Sequence, residues 1–207
     1  MLIDIKQFNA IFQSIKAHCV DQHFKNITLR VGSTYKDTGG TLINVTEIIA
    51  HEKFDKVKLN NDIALLKFDP IEFSASVQPI ELIGANYVLS DGEKCLVSGW
   101  GLMEGNQKPR DLHSVYVDVV NQEKCQINYS SSLVMFRIVP SMLCAAVHEG
   151  HKDACSGDSG GPLVCNGKLC GIVSSGYGCG MKEYPGIYAR VSVFLEWIDK
   201  TCRATAT

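Results

Sequence analysis

Ser159 stands in the run Asp153-Ala154-Cys155-Ser156-Gly157-Asp158-Ser159-Gly160-Gly161-Pro162, which suits attack on a carbonyl better than it suits packing. Gly157, Gly160 and Gly161 lack a Cβ, so the backbone there can turn tightly, leave the hydroxyl exposed and come close to a ligand. Such a bend also lets the amides of Gly157 and Ser159 point together at one developing oxyanion. A lone Gly-x-Ser-x-Gly is equally the mark of a flexible Gly/Ser loop, and what separates the two readings is a base. A serine hydroxyl is a weak nucleophile without one. His18 in Lys16-Ala17-His18-Cys19 is the candidate base, and Asp62 in Asn60-Asn61-Asp62-Ile63-Ala64-Leu65-Leu66 is the candidate carboxylate that orients it. Each has a plainer reading. A histidine beside a cysteine is commonly just packed, and an aspartate ahead of Ile-Ala-Leu-Leu is often a strand cap.

Together, in the order histidine, aspartate, serine, these motifs resemble the chymotrypsin-type serine proteases, trypsin-like members above all, from about Ala17 to about Cys202. The roles that follow are implied by that resemblance. His18 takes the proton of Ser159 and returns it to the leaving amine, Asp62 fixes the tautomer of His18, and Gly157 and Ser159 form the oxyanion hole. Asp153 lies at the bottom of the pocket for the side chain preceding the cleaved bond. A buried carboxylate without a partner is costly, so it favours a ligand bringing its own cation, Lys or Arg. The plainer reading of Asp153, a solvated loop charge after Glu149, His151 and Lys152, is disfavoured by the register that Cys155 and Ser159 set. Gly176 and Gly186 match the pocket walls, and Ser174 is expected to bond near Asp62 and to help bind the substrate backbone. Ser175 stands where a tryptophan is common, which leaves the neighbouring subsites open. Asp158 is structural in the family, pairing with the ammonium released by propeptide cleavage.

The elements that must position these groups read as all-β: two antiparallel β-barrels, chymotrypsin-like, the first incomplete, with a C-terminal helix. Residues 17 to 207 form the peptidase domain, with the first barrel over about 17 to 85 and the second over about 92 to 207. Ile27 to Val31, Leu42 to Val45 and Asp62 to Phe68 read as half-buried strands, with Gly39-Gly40 marking a turn. Val115 to Val119 alternates as a strand, and Leu163 to Leu169 reads as a hairpin about Asn166-Gly167, a dipeptide that accepts positive φ at both turn positions. Asn121 to Tyr129 reads as a short helix with Cys125 facing inward. Val193, Phe194, Trp197, Ile198 and Thr201 recur at helical spacing and predict the closing helix. Residues 1 to 16 depart from the pattern. They show no Ile-Val-Gly-Gly start, no strands leading into the histidine and no signal peptide, since Asp4, Lys6 and Gln7 interrupt any apolar core. Ile5, Phe8, Phe12 and Ile15 predict a short amphipathic helix instead.

Composition agrees with one such unit. The chain has 207 residues, 45% of them hydrophobic, with a formal net charge of −2. Nothing there calls for nucleic acid or an anionic membrane as partner, and no apolar run approaches a membrane-spanning length. Gly32 to Thr41 offers one carboxylate, Asp37, too few hard ligands for calcium, so neither metal nor cofactor is expected. Nine cysteines in neither a zinc-ribbon nor a redox spacing indicate an oxidising compartment, hence a secreted, extracellular protein. The resemblance implies pairs Cys95–Cys165, Cys125–Cys144 and Cys155–Cys179, leaving Cys19, Cys170 and Cys202 over. Three sequons, at Asn26, Asn44 and Asn128, fit secretion. The expected partners are protein or peptide substrates carrying Lys or Arg at the cleaved position and protein protease inhibitors, met by a monomer. The alternative is an inactive homologue that binds without cutting, favoured by the missing opening strands and activation terminus.

Overall fold

The structure, a computed structural model, describes residues 2–3, 11–19, 27–103, 106–130, 136–150 and 153–205. Its first sheet is built from β1 (Leu2–Ile3), β2 (Ile11–Ile15), β3 (Thr28–Val31), β4 (Thr41–Ala50), β5 (Ala64–Phe68) and β6 (Pro79–Leu82), in the spatial order β6-β1-β2-β5-β4-β3. Among the described residues β3 pairs only with β4, so the sheet is open at that end, in keeping with the incomplete first barrel. The second half forms a closed six-strand antiparallel barrel. Its strands are β7 (Lys94–Gly99), β8 (His113–Val120), β9 (Met142–Ala146), β10 (Pro162–Cys165), β11 (Lys168–Ser175) and β12 (Gly186–Arg190), and the ring closes where β10 pairs with both β7 and β11.

Period-two patterning explains how β5 joins the halves. Ile63 and Leu65 point into the main core beside Val97, Val117, Leu163 and Tyr188 of the second barrel. Phe68, on the opposite face, packs with Ile43, Leu29 and Val31 of the first sheet. Burying each such side chain contributes roughly 1.5–3 kcal/mol, so Asp62, at the head of this strand, rides on one of the most firmly packed segments of the chain. β6 adds a second tie, lying parallel to β1 and to β11.

The hairpin turn has the anticipated geometry, with φ 50° at Asn166 and 72° at Gly167. Helix α1 (Gln122–Tyr129) is capped by Asn121, whose side chain accepts from the amides of Glu123 and Lys124. Helix α2 (Leu195–Thr205) closes the chain, but its buried stripe is Phe194, Ile198 and Cys202. Val193, expected on that stripe, sits in a preceding 3-10 turn and is 52% exposed. The three expected disulfides are present, and Cys19, Cys170 and Cys202 are free. No described helix is long and apolar enough to cross a membrane.

The opening segment differs from its sequence reading. Of the four residues that predicted a helix, Ile5 and Phe8 lie outside the described residues, while Phe12 and Ile15 belong to strand β2. That strand pairs antiparallel with β5 from Ile11↔Phe68 to Ile15↔Ala64 and leads straight into His18. Spacing of four apolar residues is a weak local preference, and the hydrogen-bonding edge of β5 overrides it. The first sheet therefore takes in residues ahead of position 17.

Candidate active site

His18 lies in a single 3-10 turn, Ala17–Cys19, at the end of β2, closed by the Cys19 amide donating to the Lys16 carbonyl. Asp62 grips it twice. The His18 amide donates to Asp62 Oδ1 at 2.9 Å, and His18 Nδ1 lies 2.7 Å from Oδ2. The hydroxyl of Ser174 donates to the same Oδ2 at 2.6 Å. Asp62 is 2% exposed. Burial pulls its carboxyl upward, but the bonds from the His18 ring, Ser174 and the His18 amide outweigh that and hold it below the ordinary aspartate value. An aspartate kept ionised against Nδ1 requires the proton on that nitrogen, which leaves Nε2 as the basic one.

The turn presenting Asp62 is specified locally. Leu59 and Asn61 both adopt positive φ, 52° and 55°. Asn61 donates to the Lys53 carbonyl at 2.8 Å, and Asn60 accepts from Ser141 at 2.6 Å. A short amide side chain tolerates the left-handed conformation better than most residues.

Ser159 is held by the loop around it. The Gly160 amide donates to the Val173 carbonyl and the Val173 amide donates to the Gly161 carbonyl, each at 2.9 Å. These bonds fix the serine loop beside Ser174, and so on the side of the barrel where Asp62 and His18 meet. Among the described residues the amides of Gly157 and Ser159 donate to no protein acceptor, and no hydrogen bond joins Ser159 to His18. Gly157 has φ 104°, a conformation barred to other residues. Asp158 braces the same loop, accepting from the Gly101 amide at 2.8 Å and the Cys155 amide at 2.9 Å. Its seat depends on two glycines whose part the sequence did not reveal. A Cβ on Gly99 or Gly101 would fall 2.0 or 2.3 Å from the Asp158 carboxylate.

Asp153 sits apart from this cluster, close to Gly186. Gly176 and Gly186 face one another, a Cβ on Gly176 lying 3.9 Å from Gly186 Cα, and a Cβ on Gly186 would approach Asp153 Oδ1 to 2.9 Å. The carboxylate accepts from the amides of Ala154 at 2.7 Å and Gly180 at 3.4 Å, and no basic side chain pairs with it among the described residues. Burial pushes its carboxyl up to about 6, partly opposed by those two amides. The phenol oxygen of Tyr188, fully buried alongside, has no hydrogen-bond partner. The Tyr188 hydroxyl thus lacks a partner, and the Asp153 carboxylate, though bonded by two amides, has no cation beside it among the described residues.

Two further features escaped the sequence reading. Tyr129, Tyr184 and Tyr177 meet in series, edge-to-face and then tilted, with 5.5 and 4.9 Å between centroids. Tyr129 also bonds Pro185 O and accepts from the Tyr177 amide. Lys16, two residues before His18, is buried at 4% exposure and donates from Nζ to the carbonyl of Ser174.

A closed antiparallel barrel joined to an open sheet, with a histidine and an aspartate from one half facing a serine loop from the other, is the architecture of a chymotrypsin-type protease. Comparison with known proteins agrees: the family model described as Trypsin matches residues 16–198. The chain is 43% identical over 187 residues to the vitellin-degrading protease of Bombyx mori, covering 89% of this chain and 70% of that one. It is 38% identical over 194 residues to trypsin II-P29 of Gallus gallus (91% and 74% covered) and 38% over 196 residues to the anionic trypsin of Canis lupus familiaris (92% and 75%). The chain belongs to the trypsin family of serine endopeptidases.

Proposed function

We propose that the protein cleaves peptide bonds after Lys or Arg through His18, Asp62 and Ser159. The observation that carries this is the double hold of Asp62 on His18, which leaves the other imidazole nitrogen free to act as the base. Ser159 Oγ attacks the scissile carbonyl as His18 Nε2 takes its proton, and the oxyanion is met by the free amides of Gly157 and Ser159. Collapse transfers that proton to the leaving amine. Water, deprotonated by the same nitrogen, then releases the acyl group. Asp153 selects the residue before the cleaved bond, since its carboxylate lacks a cation that a Lys or Arg side chain would bring. Disulfides bridging six of the nine cysteines support an extracellular setting, where protein substrates and protein protease inhibitors would meet a monomer.

A specific observation favours the second reading, a homologue that binds peptides without cutting them: Ser159 makes no hydrogen bond to His18 among the described residues. Hydrolysis of arginine, lysine and leucine esters separates the two. The proteolytic reading requires turnover of the basic esters that Ser159→Ala abolishes. Folded protein with no turnover leaves the binding role.

A further inference from the structure

Lys16 is a buried cation that the proposed chemistry does not use. A buried ammonium is expensive unless its charge is met, and its hydrogen-bond acceptor here is the neutral carbonyl of Ser174, at 3.2 Å. Burial disfavours the ammonium, and the groups that oppose this are Cys19 first and Asp62 second. Both Asp62 oxygens are already taken by His18 and Ser174. Ser174 therefore touches both groups, its carbonyl accepting from Lys16 Nζ and its hydroxyl donating to the Asp62 carboxylate that holds His18.

We propose that Lys16 is a positioning residue of the proton relay, sharing the charge of Asp62 with His18 and so setting the pH below which His18 ceases to act as base. This rests on His18 being the base. A second positive charge near the carboxylate disfavours a positive charge on the imidazole. Among the described residues, the groups facing this cluster come from three elements. His18 and Cys19 come from the 3-10 turn, Asp62 from the turn before β5, and Ser174 from β11. Burial pushes the Cys19 thiol up, so it stays neutral across the acid range, and Ser174 carries no charge. Desolvation lowers the Lys16 ammonium below its ordinary value, so the same residue would also respond at the alkaline end.

The test reads the rate of Ser159 modification by a neutral fluorophosphonate against pH. This probe carries no basic side chain and leaves Asp153 out of the profile. Lys16→Met should move the acid midpoint up by about one pH unit, the usual scale for a charge at this range, while Lys16→Arg should leave it in place. A role confined to packing predicts a lower plateau rate with the midpoint unmoved in Lys16→Met, and that result overturns the proposal. Proton NMR titration of His18 in the resting protein reads the same displacement without turnover or labelling. A midpoint moved there, in protein the fluorophosphonate does not label, would keep the Lys16 coupling while sinking the proteolytic reading; an unmoved one ends the coupling whatever the activity. Melting temperatures establish that both variants fold, and should Lys16→Met fail to do so, Lys16→Gln serves the same comparison.

Discussion

Replacing Asp153 with asparagine should make the resting protein more stable while removing its preference for basic substrates. Burial raises this carboxyl from 3.8 to about 6, which at roughly 1.4 kcal/mol per pH unit amounts to about 3 kcal/mol held against the ionised, unliganded fold. An acid whose folded value lies above its unfolded one binds protons more tightly when folded. Its penalty is therefore absent below 3.8, grows as the pH rises to about 6, and is complete above that. At pH ~8 the Asp153→Asn variant escapes the penalty, and with Tm moving about 2–4 °C per kcal/mol in a chain of this size the gain is at most about 6–12 °C. The amide oxygen no longer serves the Ala154 and Gly180 donors as an anion, which trims that figure. At pH ~4 the two proteins should melt nearly together. Meanwhile kcat/KM for an arginine anilide should fall about a thousandfold, the loss of roughly 4 kcal/mol from a desolvated charge pair, with a leucine anilide spared. Scanning fluorimetry at both pH values and anilide assays measure these. A lower Tm at alkaline pH, or an intact arginine preference, would refute the reasoning about this carboxylate.

Gly101→Ala places a methyl 2.3 Å from the Asp158 carboxylate; the serine loop must shift, and we expect kcat to fall at least about tenfold, with a stability loss of about 1–3 kcal/mol by thermal melts. Ser174→Ala removes one of three bonds that keep Asp62 ionised. Because a carboxyl held below its unfolded value contributes stability above that value and loses it as pH falls, the variant's Tm should drop near neutrality, by the equivalent of about 1.5–3 kcal/mol, and match the parent near pH ~2.

The family was readable in the sequence because residue types and their order carry it. His18, Asp62 and Asp153 each sit beside a motif whose glycines, cysteines or apolar strand declare the local backbone. The Asn166-Gly167 turn and the inward Cys125 were equally local. What escaped depends on contacts between distant segments. Strand β2 exists because β5 offers it an edge, which no spacing within residues 1 to 16 announces. Gly99 and Gly101 are required by a carboxylate 57 positions beyond Gly101. Lys16 looked like an ordinary charged residue, and only the fold buries it against Ser174, 158 positions away. The open first sheet follows the same division. Its strands alternate legibly, but which edges meet is settled by pairing across the chain.

Labelling by a neutral fluorophosphonate, followed by peptide mass spectrometry, tests the central claim most directly. The account predicts a single adduct, on Ser159, that forms rapidly in the parent protein and is lost in His18→Ala. An adduct on Ser159 forming as fast without His18, or none at all in folded protein, would contradict it.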